Sequence, residues 1–369
     1  FEVTVITGFP YYPQWKILNS YQGKPLFYQE VVNGVKVLRV KQYVPSNPSF
    51  TKRIIHLLSF TLGSIFNLMK VSKPDIVISI IPFTTSVLLG WFLKLRYQSK
   101  LWVHIQDFEF DAALDSGLIK QNTKTVFKAL LWIEKRFLNK TDTISTISYG
   151  MLSKLKQKTS VPNYYLTNWI DVSLFTKARK QHPYLQSKKF KILYSGNIGA
   201  KQDWDLFTEL MKELQPLENI EVIVVGDGAR KKNLLQKTEP FNFVKHYELI
   251  PYSELPSLLM SADLHILLQK KEVIDTVMPS KLLGMMASGK PSIVTGNSQS
   301  EVARVLERSN GGYYLEGNST SEIKRHLLFL MKNPDVGKEI GTNAKKYVEA
   351  NFSKTEVLGD FINAIKAII

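Results

Sequence analysis

The chain has 369 residues, 44% of them hydrophobic and 22% charged, and a net charge of +16. That length suggests two domains, and the apolar share suffices for a sizeable core, which excludes a chain disordered throughout. With no cysteine, a disulfide scaffold, thiolate metal sites and a cysteine nucleophile are excluded; six histidines leave little for a histidine-rich metal centre.

In chain order, Phe1 leads directly into a strand pattern over Glu2–Gly8. A further element ahead of residue 1 is expected, the alternative being a fold that begins here. Val35–Val40 is the next strand. Lys52-Arg53 then precede a run of apolar residues from Ile54 to Met69, a helix ending near Lys70. From Ile76 to Leu93 there are 18 residues without charge, the lower edge of a membrane span. The interior of that stretch argues for a strand and a helix instead: Ile76–Ile80 reads as a buried strand, Pro82 breaks it, and Thr84-Thr85 can cap a helix after it. Further strands are expected at Leu101–Gln106, Thr143–Ile147 and Tyr164–Thr167. A polar, basic stretch from Thr176 to Lys189 is the best linker. The alternation then restarts, with strands at Lys191–Ser195, Glu221–Gly226, Val244–Leu249, Leu264–Leu268, Ser292–Thr295 and Gly312–Leu315. Such alternation is the mark of an α/β fold: two Rossmann-like, doubly wound domains, with ligands bound at the carboxyl ends of their parallel strands, in a cleft that the two face. The last helix, from Lys354, is long enough to cross to the first domain.

Charge is unevenly shared. Residues 1–170 carry 21 Lys and Arg against 9 Asp and Glu, a net of +12, and the remainder carries 27 against 23. Apolar and aromatic residues are dense in that same half, a mixture that suits an anionic membrane surface, where each basic residue contributes about 1 kcal/mol. A solvated basic surface around an ordinary core helix is the plainer alternative. Nucleic acid is a third, without zinc-finger spacing, an RNP-type motif or a basic region with heptads to support it.

Three strand-to-helix junctions of the second half suit an anion. Tyr194-Ser195-Gly196-Asn197-Ile198-Gly199-Ala200-Lys201-Gln202 ends a strand in a glycine-bearing turn, and Lys201 adds a charge there. Val225-Gly226-Asp227-Gly228 ends another, without the spacing of a dinucleotide fingerprint. Val277-Met278-Pro279-Ser280-Lys281 opens a helix that runs to Gly289-Lys290-Pro291; Pro279 and Ser280 explain the helix start, whereas Lys281 is repelled by the helix dipole and is better explained by an anion. Asp203-Trp204-Asp205 matches the Asp-x-Asp pattern of metal-dependent sugar transfer, but stands at a helix start that favours aspartate anyway. In the first half, a strand runs into Asp107-Phe108-Glu109, carboxylates at a strand's carboxyl end that can serve as acid/base or acceptor-binding groups. His104 and Gln106 share one face of that strand, with His104 expected half-buried and satisfied.

Together with Pro10-Tyr11-Tyr12-Pro13, His104-Ile105-Gln106-Asp107-Phe108-Glu109, Asn168-Trp169-Ile170-Asp171, Ala262-Asp263 and Ala287-Ser288-Gly289-Lys290-Pro291, these motifs resemble the retaining glycosyltransferases of family 4, which have the GT-B fold, and most closely their colanic acid fucosyltransferase-like branch. The resemblance spans nearly the whole chain. It implies an acceptor domain over residues 1–175 lacking its first strand, a nucleotide-sugar donor domain over 190–350, and a helix over 351–369 crossing back to the first. It implies transfer of a sugar from a UDP or GDP donor to a glycan or a polyprenyl-diphosphate-linked acceptor in bacterial surface polysaccharide synthesis. The enzyme would be peripheral at the cytoplasmic face of the plasma membrane and would not bind nucleic acid. The donor site would comprise Gly196, Asn197, Lys201, Gly226, Pro279, Ser280 and Lys281, with no cofactor and no divalent metal, because protein cations and helix dipoles take the leaving-group charge. Front-side attack is the expected route to retention, since no residue is an evident covalent nucleophile. Asp107 would position the acceptor hydroxyl or stabilise positive charge on the sugar, with Glu109 in reserve.

The chain departs from the family pattern at several places. Two glutamates eight positions apart, the second a ribose ligand, are replaced by Thr276 and Gly284. The arginine that commonly partners the first-turn lysine is Asn197, and the histidine common at the end of the first-domain strand is Gln106. A nucleotide-sugar 2-epimerase of the same fold and a non-enzymatic nucleic-acid-binding protein are the competing functions.

Overall fold

A computed structural model describes residues 1–12, 14–47, 49–82, 85–108, 124–177, 181–272, 280–317 and 319–369. The chain divides into two compact units, one of residues 1–146, 152–165 and 366–369, the other of residues 147–151 and 166–365.

In the first unit the strands form two sheets. Strand β1 (Thr4–Gly8) runs parallel to β3 (Val35–Val40), which pairs antiparallel with β2 (Phe27–Val32). Periodicity misses β2 because apolar residues stand side by side in it, Phe27 with Tyr28 and Val31 with Val32. Its signal lies in the turn instead: Asn33 and Gly34, at φ 50° and 81°, are the two-residue hairpin connection whose twist matches that of the strands. Helix α1 (Phe50–Leu68) comes next, its first turn capped by Ser49. The second sheet has the order β4 (Ile76–Ile81), β5 (Lys100–Ile105), β6 (Thr143–Thr146), β7 (Asn163–Tyr165), all parallel. Helix α2 (Thr85–Tyr97) joins β4 to β5, and α3 (Lys124–Leu138) precedes β6. Leu101, Trp102, Val103, Ile105 and Ile144 are all but inaccessible; β5 is largely apolar, as strands covered on both faces are, and β6, though Thr-Ile-Ser-Thr, is buried throughout. The uncharged stretch Ile76–Leu93 is therefore split between β4 and α2, and no helix among the described residues is long and apolar enough to cross a membrane.

Helix α4 (Tyr149–Lys158) begins in the second unit and continues in the first. The second unit is doubly wound. After α5 (Ser173–Lys177), six parallel strands lie in the order β10 (Val244–Tyr247), β9 (Ile220–Val225), β8 (Phe190–Ser195), β11 (Leu264–Leu268), β12 (Ser292–Gly296), β13 (Tyr313–Glu316). Between them come α6 (Trp204–Leu214), α7 (Lys231–Thr238), α8 (Leu255–Met260), α9 (Ser280–Ala287) and α10 (Glu301–Ser309). The chain closes with α11 (Thr320–Lys332), α12 (Pro334–Asn351) and α13 (Lys354–Lys366). Every residue of β9, β11 and β12 is buried. Within the stretch expected to link the domains, Leu185 is fully buried in this unit's core and Tyr184 stacks on Tyr247 with ring centroids 3.9 Å apart. The strand order reverses between β8 and β11, and crevices at the carboxyl ends of such a pair are where open α/β sheets bind ligands. The β8 turn and α9, which comes after β11, carry most of the residues expected to bind an anion.

Candidate donor site

Gly196 ends β8 at φ +123°, a conformation that side chains oppose. Its N–H donates to Val225 O (2.8 Å), and two residues on Ile198 N donates to Asp227 O (2.8 Å), so the β8 and β9 turns are laced together. They touch so closely that no side chain fits between them. A Cβ on Gly226 would lie 2.0 Å from Gly196 O, and one on Gly228, itself at φ +154°, would lie 2.4 Å from Ile198 O.

Lys281, the second residue of α9, lies against this pair of turns. A Cβ on Gly196 would stand 2.4 Å from Lys281 Cε. Lys281 Nζ donates to Tyr194 Oη (2.7 Å) and to Asn197 O (3.0 Å), and is 4.8 Å from the centre of the Tyr194 ring. Tyr194 Oη in turn donates to Asn197 O (2.6 Å). Burial raises the pKa of Tyr194, so its hydroxyl stays protonated and acts as donor. A lysine in the first turn of a helix sits where the dipole is positive; here a carbonyl and a phenol oxygen hold its amine. The result is a cation, a helix amino terminus and side-chain-free turns at one end of the sheet, the chemistry of an anion site.

Of the residues expected here, Gly196, Asn197, Gly226 and Lys281 are brought together. Asn197 contributes its carbonyl oxygen, where the family's usual residue would add a second cation. Lys201 stands five positions along the β8 loop with its side chain exposed. That loop is pinned: Lys270 N donates to Lys201 O (3.1 Å), Gly199 N to Gln202 Oε1 (3.2 Å), and Trp204 Nε1 to Gly199 O (2.8 Å). Ser280 is the first residue of α9, within the helix rather than a cap preceding it; Pro279, like Thr276, lies outside the described residues. Gly284 packs α9 onto α8, and a Cβ there would meet Leu259 Cδ1 at 3.0 Å, so this position serves packing. Both carboxylates of Asp203-Trp204-Asp205 have structural partners. Asp203 Oδ1 caps α6 by accepting from Leu206 N (3.0 Å), and Asp205 pairs with Lys237. Tyr194 is the site residue that motif reading missed; a tyrosine as the penultimate residue of an apolar strand is the only cue, and it is a weak one.

In the first unit, Asp107 is exposed just beyond β5, while Glu109 lies outside the described residues. His104 is buried rather than half-buried. Trp102 Nε1 donates to Ser145 Oγ (2.8 Å), and that oxygen stands 2.9 Å from His104 Nδ1. Burial lowers the His104 pKa to about 4, so the ring is neutral and structural at neutral pH.

The model of the family described as glycosyl transferases group 1 matches residues 176–347. WcaI of Escherichia coli K12, named for glycosyl transfer in colanic acid biosynthesis, is 32% identical over 384 residues, 99% of this chain and 92% of that protein. N-acetyl-alpha-D-glucosaminyl L-malate synthase of Bacillus anthracis is 21% identical, the match covering 61% of this chain and 59% of the synthase. Among solved structures, sucrose-phosphate synthase of Thermosynechococcus elongatus superposes with a TM-score of 0.74 at 13% identity, over 100% of this chain and 90% of the other. Anabaena HepE in complex with UDP gives 0.68 at 14%, over 90% and 87%. At those identities the structures speak for the fold, and the full-length relative speaks for the family. Fold and relatives agree: the chain belongs to the group 1 glycosyl transferases, enzymes of family 4 type with the GT-B fold.

Proposed function

We propose that this enzyme is a retaining, metal-independent glycosyltransferase of surface polysaccharide synthesis that draws its sugar from a UDP or GDP donor. The observation that carries the reading is the Lys281 amine held against the interlocked glycine turns of β8 and β9. A diphosphate seated there would meet Lys281, the backbone amide of Asn197 and the amino end of α9 at Ser280, with Gly196 and Gly226 keeping the floor free of side chains and Lys201 at the margin. Charge developing on the departing diphosphate would be neutralised by these groups in place of a metal ion. HepE, which shares the fold, has been solved with UDP and with UDP-glucose, in keeping with such a donor.

On this reading Asp107 orients the acceptor hydroxyl or stabilises positive charge on the sugar during front-side attack, with Glu109 as second candidate. The acceptor is a glycan or a polyprenyl-diphosphate-linked glycan, and the enzyme works as a peripheral protein at the cytoplasmic face of the plasma membrane. The name of the WcaI relative supports the polysaccharide context. Incubation with UDP- and GDP-sugars in the absence of acceptor tests the reaction class. Slow release of sugar and nucleoside diphosphate is expected; an epimerised nucleotide sugar would replace the transferase by an isomerase.

A further inference from the structure

Helix α1 is built inside out. Its buried side carries His56, Ser64 and Asn67 with one aliphatic residue, Leu68, at its end, and Gly63 packs so closely that a Cβ would meet Val40 Cγ2 at 2.3 Å. Ser64 Oγ and Asn67 Nδ2 are buried without a hydrogen-bond partner among the described residues. The side turned outward carries Ile54, Leu58, Leu62, Ile65, Phe66 and Met69, with Leu62 60% and Phe66 63% exposed. A surface helix of a soluble protein has the opposite pattern. These apolar residues recur every three or four positions, forming one stripe about 22 Å long at 1.5 Å per residue.

Two further helices lie beside α1 in turn. Helix α1 packs on α2 and α2 on α3; Arg96 of α2 reaches Met69, which caps the carboxyl end of α1, Nη1 to Sδ 3.0 Å, and Trp91 meets Phe137 of α3 edge to face. Outward from this layer project Phe92 and Leu95 of α2, and Trp132, 62% exposed, with Ile133 of α3. Its charge has one sign. Between residues 50 and 106 the only acid is Asp75. Glu134, the acid of α3, is buried and paired with Lys158. Lys52, Arg53, Lys70, Arg96, Lys135 and Arg136 are all exposed, and the Arg136 guanidinium lies 5.7 Å from the centre of the Trp132 ring. Trp132, Lys135, Arg136, Asn139 and Lys140 together line a surface depression.

We infer that the outer face of the α1–α2–α3 layer is a membrane-docking surface for anionic lipid, its apolar stripe lying among the acyl chains and its cations on the headgroup phosphates. Apolar area and single-signed charge are the two terms by which interfacial helices bind anionic bilayers, and long basic side chains can rise to the headgroups while their stems stay in the apolar layer. Exposed apolar patches on soluble monomers are small, so a stripe of this length requires a cover. An apolar protein partner would satisfy the stripe and leave the cations unexplained; nucleic acid would satisfy the cations and leave the stripe unexplained. This surface deepens the reading of a membrane-anchored acceptor and rests on it only for its purpose.

The test uses the full chain, without donor or acceptor, and vesicles of phosphatidylcholine alone or mixed with phosphatidylglycerol. Binding to the mixed vesicles is expected, weakening as salt shortens the Debye length from about 30 Å at 0.01 M to about 8 Å at 0.15 M. The double variants Leu62→Ser/Phe66→Ser and Lys52→Glu/Arg53→Glu should each lose at least about tenfold in vesicle affinity, with unchanged circular dichroism and unchanged donor hydrolysis. Tryptophan emission should shift to the blue on binding, and the shift should shrink in Trp132→Phe. Equal binding by wild type and both double variants, binding to neither vesicle, or a dimer in sedimentation that Leu62→Ser/Phe66→Ser abolishes would overturn the proposal. Because donor turnover is measured separately, failure here leaves the transferase reading standing, and absence of donor turnover with intact vesicle binding removes that reading alone.

Discussion

Lys281 is the residue whose placement has no reason internal to its helix. In the first turn of α9 it opposes the dipole, and its amine crosses to a carbonyl oxygen of another turn. An anion of the proposed donor would resolve that conflict. Lys281→Ala should therefore weaken nucleoside diphosphate binding by about 1.5–3 kcal/mol, the range for hydrogen bonds to charged groups; Lys201→Ala, with its exposed side chain, should cost less. Gly196→Ala should mimic the Lys281 loss, because the new Cβ displaces the end of the lysine chain. Asp107→Asn should abolish transfer while leaving donor affinity in place. Two histidines set a pH dependence of stability. Burial lowers His104 to about 4 and His265 to about 3, the latter with its Nε2 3.0 Å from Ser288 Oγ. Unfolded histidine titrates near 6.5, so below that pH the unfolded chain binds more protons than the folded one. Stability should be full above about pH 6.5 and should fall as pH drops toward 4, by about 2 kcal/mol per histidine at pH 5. Urea midpoints measured from pH 7 to 5 check this, and His265→Gln should flatten the slope.

At the scale of elements, the glycine turns act as a pair. A Cβ on Gly226 meets backbone, which cannot swing aside, so Gly226→Ala should destabilise by about 1–3 kcal/mol and impair diphosphate binding together. Thermal unfolding and calorimetry on the same variant would show both losses. Asp203 holds the start of α6, a task asparagine performs as well, so Asp203→Asn should cost little and transfer should persist in EDTA. Full loss in EDTA with recovery on adding Mg²⁺ or Mn²⁺ would count against metal independence. Much of this level was legible in the sequence, because short apolar runs such as Leu264–Leu268 alternate with helical patterns, and a glycine after a strand announces a tight turn. What each turn touches was not legible. The approach of Gly226 to Gly196, and of Lys281 to Tyr194, depends on strand order, which periodicity does not encode. For the same reason Ile54–Met69 could be read as a helix, but not as one with its apolar side outward; that requires knowing which side meets β1 and β3.

At the scale of the whole molecule, the first unit concentrates the positive charge and carries the exposed apolar helix layer, while the second carries the proposed anion site at a switch point of a doubly wound sheet. The proposed pairing of a soluble donor with a membrane-bound acceptor would call for such a division. Nuclear magnetic resonance of the first-formed product should show the anomeric configuration of the donor; inversion would rule out front-side attack. The central claim, that the second unit holds a nucleoside diphosphate through Lys281, is tested most directly by titrating UDP and GDP calorimetrically into wild type and Lys281→Ala. Wild type should bind one of the two nucleotides, and the variant should bind it about ten- to a hundredfold more weakly, at about 1.4 kcal/mol for each factor of ten. Equal affinity in the two proteins, or no binding of either nucleotide by wild type, would contradict it.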